Sequence, residues 1–259
     1  MAFPNSPRVL YGTNPLEQVI CQLRFPPILR ITSDSAADFQ DAIRDRYPLY
    51  SEEEGVPELP LPESLAAALK LGQPGPTPAK RFTSPDEHWT VALAQHFVAL
   101  TTGRYERWEG FRDRLRHAVD ALERIYDPAF YTRIGLRYRD VIRRSDLDLP
   151  DVPWSQLLAP NVLSELGSQL ADAVQEVNHI GLIDLGENAG KVRVRHGLDK
   201  DSKTGEEVYC IDADFFTTQR TIRDDVNHRL DHFKTQAACF FRWCITQRLH
   251  DAMAPRPIE

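Results

Sequence analysis

An α+β fold on an antiparallel sheet is predicted by three observations. Period-two alternation of apolar residues marks QVICQLRF and RIGLRYRDVI, and AVQEVNHIGLIDL, KVRVRHGLD and EVYCIDADFF are further strand candidates. Two long segments, 105–126 and 222–252, carry apolar stripes at helical spacing instead. HWTVALAQ and HFVALTTG also follow each other with almost nothing between them, as antiparallel neighbours allow. The expected order is β-α-β-β-α-β and then β-β-β-α, ending in a long C-terminal helix. A single domain over 1–259 is expected, with sub-halves 8–145 and 165–252 and a Pro-rich excursion over 48–79.

Taken in order, the first strand sets Val19, Cys21, Leu23 and Phe25 on one face. A helix capped by Ser33 or Asp34 carries Phe39, Ile43 and Tyr47 and stops before Pro48. Between Pro48 and Lys80 stand Pro57, Pro60, Pro62, Pro74, Pro76 and Pro78. That spacing predicts a surface excursion in which only LPESLAAALKLG can form a short helix. KRFTS, the turn SPDE and the two apolar segments form a meander. The helix over 105–126 buries Trp108, Phe111, Leu115, Val119, Leu122 and Ile125, and Pro128 ends it. The stretch 148–167, broken by Pro150, Pro153 and Pro160, holds at most two short helices. Three strands follow, joined by ENAG and DKDSKTGEE. The last helix, from about Ile222 to Ala252, has a seam of Val226, Leu230, Phe233, Ala237, Phe240 and Cys244. A second stripe of Ala238, Phe241 and Ile245 widens the apolar arc. The helix is therefore expected between the sheet and another element or subunit, with those three residues as the candidate interface.

The net charge of −7 excludes broad wrapping of nucleic acid or adhesion to anionic membrane, so any anion site must be local. The opening MAFPNSPRVLYG lacks a basic stretch followed by an apolar segment, and no segment approaches the roughly 20 apolar residues needed to span a bilayer. A cytoplasmic protein without membrane contact is expected. Cys21, Cys210, Cys239 and Cys244 form no C-x-x-C pair and read as reduced, mostly buried thiols.

The segment RIGLRYRDVIRR concentrates the positive charge. In a strand, Ile134, Leu136, Tyr138 and Ile142 share one face, while Arg133, Arg137, Arg139 and Arg143 share the other. Such a face is either solvated and salt-bridged or, with Arg193, an anion site for phosphate or carboxylate. The former is expected, because surface charge runs are usually solvated. A hairpin centred on Ser202 and Lys203 sets Arg193 opposite Asp212, Lys191 opposite Asp214 and Val194 opposite Ile211, so carboxylates are available for pairing.

His228 and His232 lie one helical turn apart but lack a third zinc ligand at recognisable spacing. Asp212 and Asp214 share a strand face, as in some metal-dependent nucleases, though pairing with arginine is the simpler role. Trp89, Trp108, Trp154 and Trp243 read as core anchors. No G-x-x-x-x-G-K, G-x-G-x-x-G, G-x-S-x-G or H-E-x-x-H occurs, and no metal or cofactor is expected.

NPLEQVICQLRFPPILRI, FQDAIRDRYPLY, HWTVALAQHFVALTTGRYERWEGF and RIGLRYRDVI together resemble an uncharacterised, sporadically distributed bacterial protein family of about 250 residues. The match is strong over 14–142 and weaker beyond. The resemblance implies no activity, cofactor or catalytic residue. Its patchy distribution is like that of accessory genes, including phage-defence and toxin–antitoxin modules. The expected function is a cytosolic interaction or regulatory module without catalysis, acting through a protein partner or as a homo-oligomer formed by the last helix. The alternatives are a phosphate, nucleotide or nucleic-acid binder using the arginine strand, and a metal-dependent hydrolase using Asp212 and Asp214.

Overall fold

A computed structural model describes residues 3–33, 36–56 and 77–257. Among the described residues, eleven strands and several helices follow one another along the chain. In the first half, β1 (Val9–Tyr11) and β2 (Leu16–Arg24) precede α1 (Arg30–Ser33) and α2 (Ala37–Ile43). Then come β3 (Leu49–Val56), β4 (Thr77–Thr83), β5 (Trp89–Ala94), β6 (Phe97–Thr102), α3 (Trp108–Tyr126) and β7 (Arg133–Ile142). The second half holds α4 (Trp154–Leu157), α5 (Pro160–Leu163), β8 (His179–Asp184), β9 (Lys191–Lys200), β10 (Glu207–Thr217), α6 (Arg223–Cys244), α7 (Gln247–Ala252) and β11 (Pro255–Pro257). The fold is α+β, with a large antiparallel sheet and a long C-terminal helix.

Nine strands form that sheet in the order β3-β4-β5-β6-β2-β7-β10-β9-β8, every neighbouring pair antiparallel. β2 and β7 bring the two halves together at its centre. The predicted alternation in β2 holds: Val19, Cys21, Leu23 and Phe25 are buried toward the helices. On β7 the same side takes Ile134, Leu136, Tyr138 and Ile142. Helix α3 packs over β6 and α2, and α6 packs over β7 and β10. Asp127, in left-handed conformation, closes α3 just before Pro128.

Several expectations need correction. The excursion from Pro48 begins as a strand, β3, paired to β4 at the sheet edge; the acidic run of LYSEEEGV hid it, because an edge strand tolerates charge on both faces. The expected short helix at LPESLAAALKLG lies outside the described residues, as do Asp34 and the side chain of Ser33. Helix α2 starts behind Ala36, whose φ is 55°, with no side-chain cap. Tyr47 is buried but lies beyond its end.

The β9–β10 hairpin is displaced by two residues from the expected register. Arg193 faces Asp214, Arg195 faces Asp212, and Val194 faces Ala213. The Asp201 carboxylate accepts from the backbone N–H of Lys203 and Thr204, and Gly205, at φ 72°, completes the turn. This moves the turn centre on by one position and every partner by two, leaving the faces unchanged.

The long last helix is interrupted. Ile245 is extended (φ −117°, ψ 152°), bridges Leu158 in antiparallel fashion and is buried. Thr246 then caps α7, its hydroxyl accepting from the Leu249 N–H. Among the described residues no helix is long and apolar enough to cross a membrane.

Candidate anion-binding site

The side of β7 turned away from the helices bears Arg133, Arg137 and Arg139, with Arg143 just beyond its end, and a carboxylate meets each of the four; Arg193, on β9, meets none among the described residues. The neighbouring strands supply those carboxylates because antiparallel partners directly opposite one another share a face. Arg137 lies opposite Asp214 on β10 and one pair along from Asp212. Its Nε donates to Asp212 Oδ1 at 2.6 Å and its Nη2 to Oδ2, a bidentate fork. Arg133 Nη2 donates to both oxygens of Asp214, at 3.0 and 2.8 Å. Arg139 Nη1 donates to Glu17 at 2.6 Å, and Arg143 donates to both Glu17 and Asp201. The first two pairs are deep, with side chains 10–14% exposed. Arg193 is exposed and has no ion pair among the described residues.

Gly135 makes room for this arrangement. A Cβ there would stand 2.2 Å from Arg133 Nη1, so the guanidinium lies across the bare backbone and stacks 5.0 Å from the Phe216 ring centre. Burial works against the charge of Arg137, but the Asp212 carboxylate more than offsets it and its pKa rises. For Arg143, burial is likewise outweighed by Glu17 and Asp201. Arg195 behaves oppositely: burial first, then the positive charge of Arg137 and Arg193, lower its pKa against the pull of Asp212.

A cavity of about 640 Å³ opens on this side. Arg137, Arg139, Arg195 and Lys200 supply cations to its lining; Glu176, Asp199, Glu207 and Asp212 supply carboxylates. Both signs are therefore present, and the capacity for an anion lies in spare donors. Arg137 spends Nε and Nη2 on Asp212 and retains Nη1; Arg139 spends only Nη1 on Glu17. His196, held to about 4 by burial and then by His179, is neutral at pH 7. Burial pushes the Cys210 thiol in the same lining up to about 11, so it is protonated and a poor nucleophile.

Of the other residues singled out from the sequence, Asp212 and Asp214 are turned to guanidinium groups as described. His228 is exposed and His232 half-buried, and no three His, Cys, Asp or Glu among the described residues are grouped to hold a metal. Trp108 and Trp154 are buried, Trp89 is half-buried beneath the Arg114 guanidinium, and Trp243 is exposed. Cys21, Cys239 and Cys244 are buried and, like Cys210, free.

The candidate interface of the last helix is mostly consumed within the chain. Phe3 packs on Phe240 and Trp243, with ring centres 5.1 and 5.6 Å apart, and Tyr11 meets Phe241 edge-on at 5.9 Å. β1 pairs with β11 beside it. Ile245 is 3% exposed and is therefore corrected from interface to core; Ala238 is exposed and Phe241 half-buried. Sequence reasoning missed Glu17, Arg195 and Lys200. Arg195 was visible in principle, standing two residues from Arg193 on the same strand face.

Fold and site together define an α+β protein with a carboxylate-buttressed arginine face. A scan against protein-family models and a search of curated proteins find no match to the chain.

Proposed function

We propose that the chain is a binding module, without catalysis of its own, that takes a phosphorylated ligand such as a nucleotide or nucleic-acid backbone on its arginine face. The observation carrying this reading is the approach of Arg137, Arg139 and Arg195 to one cavity of about 640 Å³, within the size range of small-molecule sites. Carboxylates hold the Arg137 and Arg139 guanidinium groups in place while leaving an N–H donor on each unspent, which lowers the ordering cost of binding. A regulatory or sensing role in a bacterial accessory system is consistent with such a module. Titration with pyrophosphate, ATP and a single-stranded oligonucleotide at several salt concentrations tests it. Affinity should fall as salt rises, and Arg137→Ala combined with Arg139→Ala should abolish it. Binding that is absent, or indifferent to salt, would count against the reading.

A second reading, self-association, is favoured by the edge strand β8. Ile180 and Leu182 are 43% and 55% exposed there, on a strand with no second neighbour among the described residues. Two-fold antiparallel pairing about Gly181 sets Ile180 of one copy opposite Leu182 of the other, twice over. Light scattering on wild type and Leu182→Lys tests this: a monomeric wild type removes it.

A further inference from the structure

The helix-facing row of β7 contains one residue out of keeping with the rest. Between Tyr138 and Ile142 stands Asp140, 9% exposed, flanked across the sheet by Leu16 and Ile211. Its carboxyl has no hydrogen bond or ion pair among the described residues. The Tyr138 hydroxyl on the same row is buried and is turned to the Tyr105 hydroxyl rather than to Asp140. A lone carboxyl in an apolar row is costly.

Asp140 borders a cavity of about 140 Å³, separate from the one among the arginines and on the opposite side of the sheet. Its walls are mainly apolar, with the rings of Tyr11, Tyr105, Tyr138 and Phe241 and the methyl groups of Ala237 and Ala238. An apolar cavity near ~150 Å³ accommodates a molecule the size of benzene. The charged groups around it do not satisfy Asp140. Arg8 donates to Glu109 at 2.9 Å, Lys234 makes no ion pair with Asp140, and Glu106 and Arg107 also border the opening. Asp212, on the far side of the sheet, adds negative charge.

We propose that this cavity binds a small organic ammonium ion, its nitrogen on the Asp140 carboxylate and its hydrocarbon against the surrounding tyrosine and phenylalanine rings. Aromatic faces attract a cation, and a desolvated carboxylate supplies the countercharge. Burial, and then Asp212, raise the Asp140 pKa to about 8, so the ligand-free carboxyl is mostly protonated at neutral pH. Binding then releases a proton and strengthens with pH, while an alkylammonium, like lysine, stays charged to about pH 10.

Calorimetric titration of the full chain with n-butylammonium, with 1-butanol as the uncharged counterpart, tests this. The wild type should bind the ammonium and not the alcohol, with affinity roughly 50-fold weaker at pH 6 than at pH 8. Asp140→Asn should abolish binding, as should Ala238→Phe, which fills the cavity without altering charge; circular dichroism checks that both variants fold. Equal binding of the alcohol, binding that survives Asp140→Asn, or no binding by the wild type overturns the proposal.

Discussion

Replacing Asp140 with Asn isolates the cost of one buried carboxyl. Its proton affinity rises from the ordinary 3.8 to about 8, chiefly through burial, and each decade is worth about 1.4 kcal/mol. The span caps the penalty near ~6 kcal/mol, and water entering the adjoining cavity reduces it to an expected ~2–3 kcal/mol. The sign follows from proton counting. Between about pH 4 and pH 8 the folded chain holds a proton that the unfolded chain has released. The contribution of Asp140 to stability is therefore lost as pH rises through this window and stays constant above it. Asn cannot ionise, so the variant should gain on the wild type with increasing pH and be more stable by ~2–3 kcal/mol at pH 8. Urea denaturation of both proteins at pH 5, 6, 7, 8 and 9 measures this, with the m-value checked for constancy. A difference that does not change between pH 5 and pH 8 would refute the reasoning.

Three other outcomes are expected. Asp212→Ala leaves the Arg137 guanidinium, in a pair only 10–14% exposed, without its carboxylate; it should cost ~3–5 kcal/mol by urea denaturation, and the Arg137→Met, Asp212→Leu double variant much less. Gly135→Val forces the Arg133 guanidinium off its position across β7 and away from Asp214, costing ~1–3 kcal/mol in the same assay. Phe3→Ala removes a ring that is 5% exposed from Phe240 and Trp243, which should cost about 3 kcal/mol and shift the Trp243 emission to the red.

The central strands were legible because their alternation is local: Val19, Cys21 and Leu23 announce a buried face, as do Ile134, Leu136 and Tyr138. The arginine face was legible for the same reason. Its carboxylate partners were only partly so, since Glu17 and Asp201 reach Arg143 from distant points along the chain. From sequence the last helix reads as continuous because its seam to Cys244 and the second stripe to Ile245 fit helical spacing, and only the bridge to Leu158 shows that the chain is extended at Ile245. Cover for its wide apolar arc came from Phe3 and Tyr11, in a segment whose short strand carries almost no periodic signal. The significance of Asp140 was latent in RIGLRYRDVI, as the single acid in an otherwise apolar row.

Oily residues cannot tell a strand from its copy slid along by two places, since inside stays inside. The Arg133–Asp214 and Arg137–Asp212 forks can, because a slide changes how far along the strand each guanidinium must reach for its carboxylate. The charged side of β7 and β10 thus adds a position-dependent link across the seam that its apolar side lacks.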